Sequence, residues 1–134
     1  GLLFYLKTWK IKDMNKEKSV KRSITSLKKN RDFQKVYQEG KSFANKYLVM
    51  YILENGTQNN YLGISVSKKV GNSIVRHRIT RLIRESYRLH KEEFQSGYHI
   101  VIIARTGAKG KAYQEIESAV IHLGKLHHIW KEIL

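Results

Sequence analysis

Apolar residues recur along this chain at two periods, and the switches between them divide it into elements. Phe33, Val36 and Tyr37 fall at i, i+3 and i+4, one helical stripe, with Asn30 as the expected N-cap and Gly40 as the expected stop. From Tyr47 to Leu53 the period becomes two. Asn55-Gly56 opens a polar turn, and Tyr61 to Ser67 alternates again, which predicts two neighbouring antiparallel strands. Leu48, Met50 and Ile52 share one strand face and Leu62, Ile64 and Val66 another, so these are the candidate core. The opposite faces carry Tyr47, Val49 and Tyr51, then Gly63, Ser65 and Ser67, a mixture of aromatic and small residues suited to an open surface. Ser73 to Lys91 is the longest clean helical pattern, with Val75, Ile79, Leu82, Ile83, Ser86 and Leu89 on its apolar side. Ile100 to Ala104 is a short continuous apolar run, a buried strand, and Tyr113 to Ile133 returns to helical spacing, interrupted by Gly124. A further strand is possible near Phe43. The order is helix, strand, strand, helix, strand, helix.

The chain has 134 residues and a hydrophobic fraction of 41%, enough for one domain with a core and against a wholly disordered basic tail. Residues 1–18 read as an N-terminal extension and 19–134 as the single domain, with Asp13 to Ser26 a mobile basic arm and compact structure starting near Leu27. Met14 could itself be an initiator. The apolar runs Leu2 to Leu6 and Ile100 to Ala104 fall well short of the roughly 20 residues that span a bilayer. Gly1 to Lys12 lacks the long apolar stretch and small-residue cleavage site of a signal peptide. The absence of Cys excludes disulfides and thiolate chemistry and fits a cytoplasmic location.

Charge changes the picture most. Against 26 Lys and Arg stand 11 Asp and Glu, a formal net charge of +15, which points to a polyanionic partner. Eight of the cations lie between Lys68 and Lys91, countered by Glu85 alone. A solvated helix face normally mixes signs, because like charges at i, i+4 destabilise it by a few tenths of a kcal/mol each. Phosphate would offset that repulsion. Gly71 and Asn72 at the helix start would also turn backbone N–H groups and the positive end of the dipole towards a phosphate. The bland alternative is a basic helix that serves only solubility.

Strand Gly63 to Ser67 running into Lys68-Lys69-Val70-Gly71-Asn72 and an Arg-rich helix resembles the protein component of bacterial ribonuclease P. So do Leu27-Lys28-Lys29-Asn30, Asp32-Phe33 and Gly40-Lys41-Ser42-Phe43-Ala44-Asn45, and the similarity runs over about Ser26 to Trp130. Two positions depart from the family pattern: His77 stands within Arg76-His77-Arg78, and Thr80 precedes Arg81. The resemblance implies an α/β (α+β) two-layer sandwich like the second domain of ribosomal protein S5. It also implies a left-handed βαβ crossover, where pattern alone would give a right-handed one. It further implies a protein that binds a catalytic RNA and the 5′ leader of precursor tRNA and assists endonucleolytic removal of that leader. The RNA subunit and the leader are the expected partners, with no DNA and no membrane. No cofactor is expected on the protein itself, and Mg²⁺ is required by the RNA–protein holoenzyme. Lys68, Lys69, Asn72, Arg76, Arg78, Arg81, Arg84 and Arg88 are the expected contacts to the catalytic RNA, and Phe33, Tyr37, Tyr51 and Ser65 the expected leader cleft.

Two alternatives remain on the sequence. A structural RNA-binding protein on the same fold would share the basic helix and need no cleft. A His-dependent ribonuclease would need two convergent histidines. The six here give little sign of that: His127 and His128 are adjacent and diverge on a helix, His90 and His99 flank a loop, and His122 stands alone.

Overall fold

The structure is a computed structural model that describes residues 24–131. A five-stranded sheet is built from β1 (Thr25–Ser26), β2 (Lys41–Ala44), β3 (Leu48–Glu54), β4 (Tyr61–Ser65) and β5 (Tyr98–Ala104). The helices are α1 (Asn30–Glu39), α2 (Ser73–His90) and α3 (Tyr113–Leu126), with short 3₁₀ turns at Lys91–Glu93 and Thr106–Ala108. The expected extension, 1–18, lies outside the described residues. Of the expected arm, Thr25 and Ser26 are strand, paired in parallel with Tyr61 and Leu62.

Strand order is β1-β4-β5-β3-β2. The expected pairing of β3 with β4 is therefore corrected: β5 lies between them, antiparallel to β3 and parallel to β4. The reason is burial. Ile100, Val101 and Ile102 are successive residues with no exposed surface, so this strand must be covered on both faces, and only an interior position provides that.

Period two then sorts the core. Leu48, Met50, Ile52, Leu62, Ile100 and Ile102 point to one face, where Ile79 and Ile83 of α2 and Ile116, Val120 and Leu123 of α3 close over them. Val101 points to the other, where it packs with Leu27 and with Val36 of α1. Helices thus lie on both faces, so the expected two-layer sandwich is corrected: the sheet is the middle of three layers wherever α1 covers it, because Val101 needs cover on the face opposite Ile100 and Ile102.

Local details correct two expectations and bear out Gly40 as the stop. Lys29, not Asn30, is the N-cap of α1, and it makes no side-chain cap bond. Gly40 ends α1 with a φ of −79°, so its role is close approach: a Cβ there would stand 2.5 Å from the Val36 carbonyl oxygen and 2.7 Å from that of Ile52. Helix α3 runs unbroken through Gly124, because the Phe94 ring fills the space a Cβ would take, and it stops at Leu126 before His128 turns to a φ of +59°.

His127 is 8% exposed and its Nε2 donates to the Met50 carbonyl at 2.8 Å, which leaves Nδ1 buried without a partner. Burial holds its pKa below the ordinary 6.5, against the Met50 bond and with help from Lys41 and His128. His99, also held down chiefly by burial, acts in the same window. The unfolded chain binds more protons below pH 6.5, so the stability these residues contribute is present above that pH and lost as pH falls through the folded values. We predict that melting temperature falls on acidification from pH 7.5 to 5.5, and that His127→Gln shows a shallower fall. An unchanged slope in the variant would contradict this reading of His127.

Candidate nucleic-acid interface

Two surfaces concentrate the chemistry, and they meet where β4 ends. After Ser65 the chain passes through exposed Lys68 and Lys69 and buried Val70, then enters α2. Asn72 is the N-cap, its side-chain oxygen accepting the Val75 N–H at 3.0 Å. Gly71 is held to its size by Val75, whose Cγ1 would stand 2.7 Å from an added Cβ.

Along α2, Ile79, Ile83, Ser86 and Tyr87 face the core. Arg78, Arg81 and Arg84 are exposed, with no acidic partner among the described residues. Two expected members of this set are placed differently. Arg88 is 7% exposed and pairs with Glu85 through Nε at 2.9 Å and through its second guanidinium nitrogen, so the structure removes it from the open stripe. Arg76 lies about 140° round the helix from Arg81. It is half-buried, and its Nε is enclosed without a hydrogen-bond partner. Of the two departures from the family pattern, His77 is exposed beside Arg78, whereas Thr80 donates its hydroxyl to the Arg76 carbonyl at 2.9 Å.

The other surface lies on the opposite sheet face. Pairing registers give two rows across it: Ser42, Tyr51, Val101 and Gly63, then Ala44, Val49, Ile103 and Ser65. Helix α1 brings Phe33 and Tyr37 onto the first row. Their ring centroids are 6.3 Å apart, and Tyr37 stands 5.2 Å from Tyr51, edge to face. Phe33 lies against Gly63, where a Cβ would come within 2.6 Å of the ring, so the glycine makes room for the aromatic. Burial raises the Tyr37 pKa, opposed by a hydrogen bond with the Ser65 side chain. All four expected cleft residues are thus brought together.

Sequence reasoning passed over Ile103, Leu53 and Tyr61, which flank the same cluster. Strand parity could have found them, since Tyr61 alternates with Gly63 and Ile103 with Val101. The histidines are dispersed. His90 is 2.9 Å from Glu117 Oε2, His122 is 3.3 Å from the Asn45 amide and His127 is on the Met50 carbonyl. Among the described residues no group of three or more His, Cys, Asp or Glu could hold a metal, and no helix is long and apolar enough to cross a membrane.

Comparison with known proteins agrees with this geometry. The family model for Ribonuclease P matches residues 22–130. The ribonuclease P protein component of Lachnoclostridium phytofermentans is 65% identical over 104 residues, 78% of this chain and 90% of the relative. The solved RNase P protein of Staphylococcus aureus shares 38% identity at a TM-score of 0.74, over 79% of this chain and 97% of that one. A mutant of the Staphylococcus aureus protein with defective mRNA degradation activity shares 34% identity at a TM-score of 0.75, over 90% and 97%.

The cap separates stability from binding. Removing a capping side chain costs about 1 kcal/mol. We predict that Asn72→Ala lowers the melting temperature by about 3–6 °C, whereas Asn72→Asp, which can still accept the Val75 N–H, lowers it less. Equal losses in thermal denaturation would show that the cap bond is not what Asn72 supplies.

Proposed function

The chain belongs to the ribonuclease P protein family, and from that premise we propose that it binds the catalytic RNA subunit through α2 and the 5′ leader of precursor tRNA through the aromatic surface under α1. The carrying observation is the division of labour across one sheet, with unpaired arginines on one side and a ring cluster beside Ser65 on the other. Arg78, Arg81 and Arg84, with Lys68 and Lys69, neutralise phosphates of the RNA subunit, and the enclosed Arg76 Nε gains an acceptor there. Phe33, Tyr37 and Tyr51 offer ring faces and edges on which bases stack without regard to sequence, as a leader that varies between tRNAs requires.

Removal of the leader is hydrolysis of a phosphodiester by the assembled holoenzyme. In this proposal the RNA subunit holds the Mg²⁺ ions the chemistry uses, in the cytoplasm, and this chain contributes charge and orientation. The left-handed β4–α2–β5 crossover and the kinship with ribosomal protein S5 belong to the same proposal and rest on family resemblance. A second reading, a part in mRNA degradation, is raised by the activity defective in the Staphylococcus aureus mutant. The dispersed histidines speak against a general acid–base pair here.

Two predictions test the two surfaces separately. Replacing both Arg81 and Arg84 by Ala should weaken RNA-subunit binding and flatten the log–log salt dependence by about 0.7–0.9 per lost contact, read from titrations at several salt concentrations. Unchanged affinity and slope would leave the stripe a solvated face. Tyr51→Ala should weaken holoenzyme binding of leader-bearing precursor tRNA by about tenfold while leaving mature tRNA nearly unaffected. If affinity for both tRNAs drops together with the melting temperature, Tyr51 belongs to the core and the leader lies elsewhere.

A further inference from the structure

One feature of α2 is not explained by phosphate binding. Ile74 is 79% exposed, the most exposed large apolar side chain among the described residues, and it stands in the middle of the basic face. It is one wall of a groove of about 450 Å³ lined by Ile74, His77, Arg78, Arg81, Leu82 and Glu85. The spacing i, i+3, i+4, i+7, i+8 and i+11 places all six along one side of the helix.

The lining argues against a phosphate as the occupant. Ile74 and Leu82 provide no hydrogen bond, and a carboxylate, Glu85, stands at the far end of the groove, where Arg88 fixes its position. A phosphate would be drawn to the Arg78 and Arg81 guanidiniums at the rim and repelled from the floor. A planar, neutral ring fits the Ile74 end of the groove better. It can lie on the aliphatic surface of Ile74 beside the His77 ring and the Arg78 stem, which stand one helical turn away on the same side of α2.

We infer that this groove seats one unpaired nucleobase of the RNA subunit, with Ile74 as its apolar wall and Arg78 and Arg81 holding the flanking phosphates. The inference rests on the proposal that α2 faces that RNA, and it adds a contact that is independent of charge. Charge complementarity selects RNA as the occupant: an apolar groove inside a stripe of unpaired arginines would attract a polyanion that also carries apolar rings.

The sign of one substitution tests it. Ile74→Lys adds a cation to the stripe at an exposed position, so the fold is undisturbed. If the stripe is purely electrostatic, the variant binds the RNA subunit more tightly than the unmodified chain. If the groove seats a base, it binds more weakly at high salt despite the added charge. Ile74→Ala should weaken RNA-subunit binding by about fivefold with an unchanged salt slope, because no counterion is released by an apolar contact. Inorganic polyphosphate, which has the charge and no bases, is the parallel probe, and Ile74→Ala should leave its binding unchanged while Arg81→Ala weakens both. Tighter RNA binding by Ile74→Lys, or equal behaviour of Ile74→Ala and the unmodified chain on RNA, overturns the base seat and leaves the functional proposal standing. If the unmodified full chain fails to bind the RNA subunit at all, the functional proposal itself falls.

Discussion

Burial of β5 on both sides is the constraint on which the rest depends. Ile100 and Ile102 need one covered face and Val101 needs the other, each with no exposed surface. One helix layer cannot satisfy both. Helices α2 and α3 close over one face and α1 over the other, and the strand takes the interior position that keeps β3 and β4 apart. Two separate outer surfaces follow. One is the outward side of α2, and the other is the part of the sheet that α1 only half covers.

The exposed side of α2 would be poorly stable as an isolated helix, since Arg78, Arg81 and Arg84 repel at i, i+3 spacings. Tertiary packing offsets this, through Ile79, Ile83, Ser86 and Tyr87 against the sheet and α3, and through the Asn72 cap. The fold thus holds in place a surface whose arginines have no acidic partner among the described residues. Across the sheet the ring cluster has the opposite character, with its rings stacked on a floor of Val36 and Val101 and its polar edge supplied by Ser65. Both surfaces run towards the end of β4, where Ser65, Lys68 and Lys69 join them.

Much of this was legible in the sequence, because period and charge are local. The core faces of β3 and β4 and the extent of α2 follow from alternation and helical spacing, whereas the grouping of Phe33, Tyr37, Tyr51 and Ser65 needed the family resemblance as well. Strand order was not legible: the Asn55-Gly56 turn favours pairing β3 with β4, and only the demand of a distant strand for two covered faces overrides it. Arg88 was misplaced for a related reason. Its helical angle is right for the open stripe, but Glu85 draws its head group in and tertiary packing covers it. Ile74 shows the limit of periodicity from the other side, since a single exposed apolar residue carries no signal until the groove around it is seen.

The central claim is that this chain contributes charge and binding surface to leader removal and leaves the bond-breaking chemistry to RNA. The most direct measurement follows cleavage of a precursor tRNA at low Mg²⁺ by the chain alone, by the RNA subunit alone and by the two together. The account predicts no leader removal by the chain, little by the RNA and efficient cleavage at the mature 5′ end by both, because the protein's cations lower the demand for counterions. Site-specific cleavage by the chain free of RNA would contradict it.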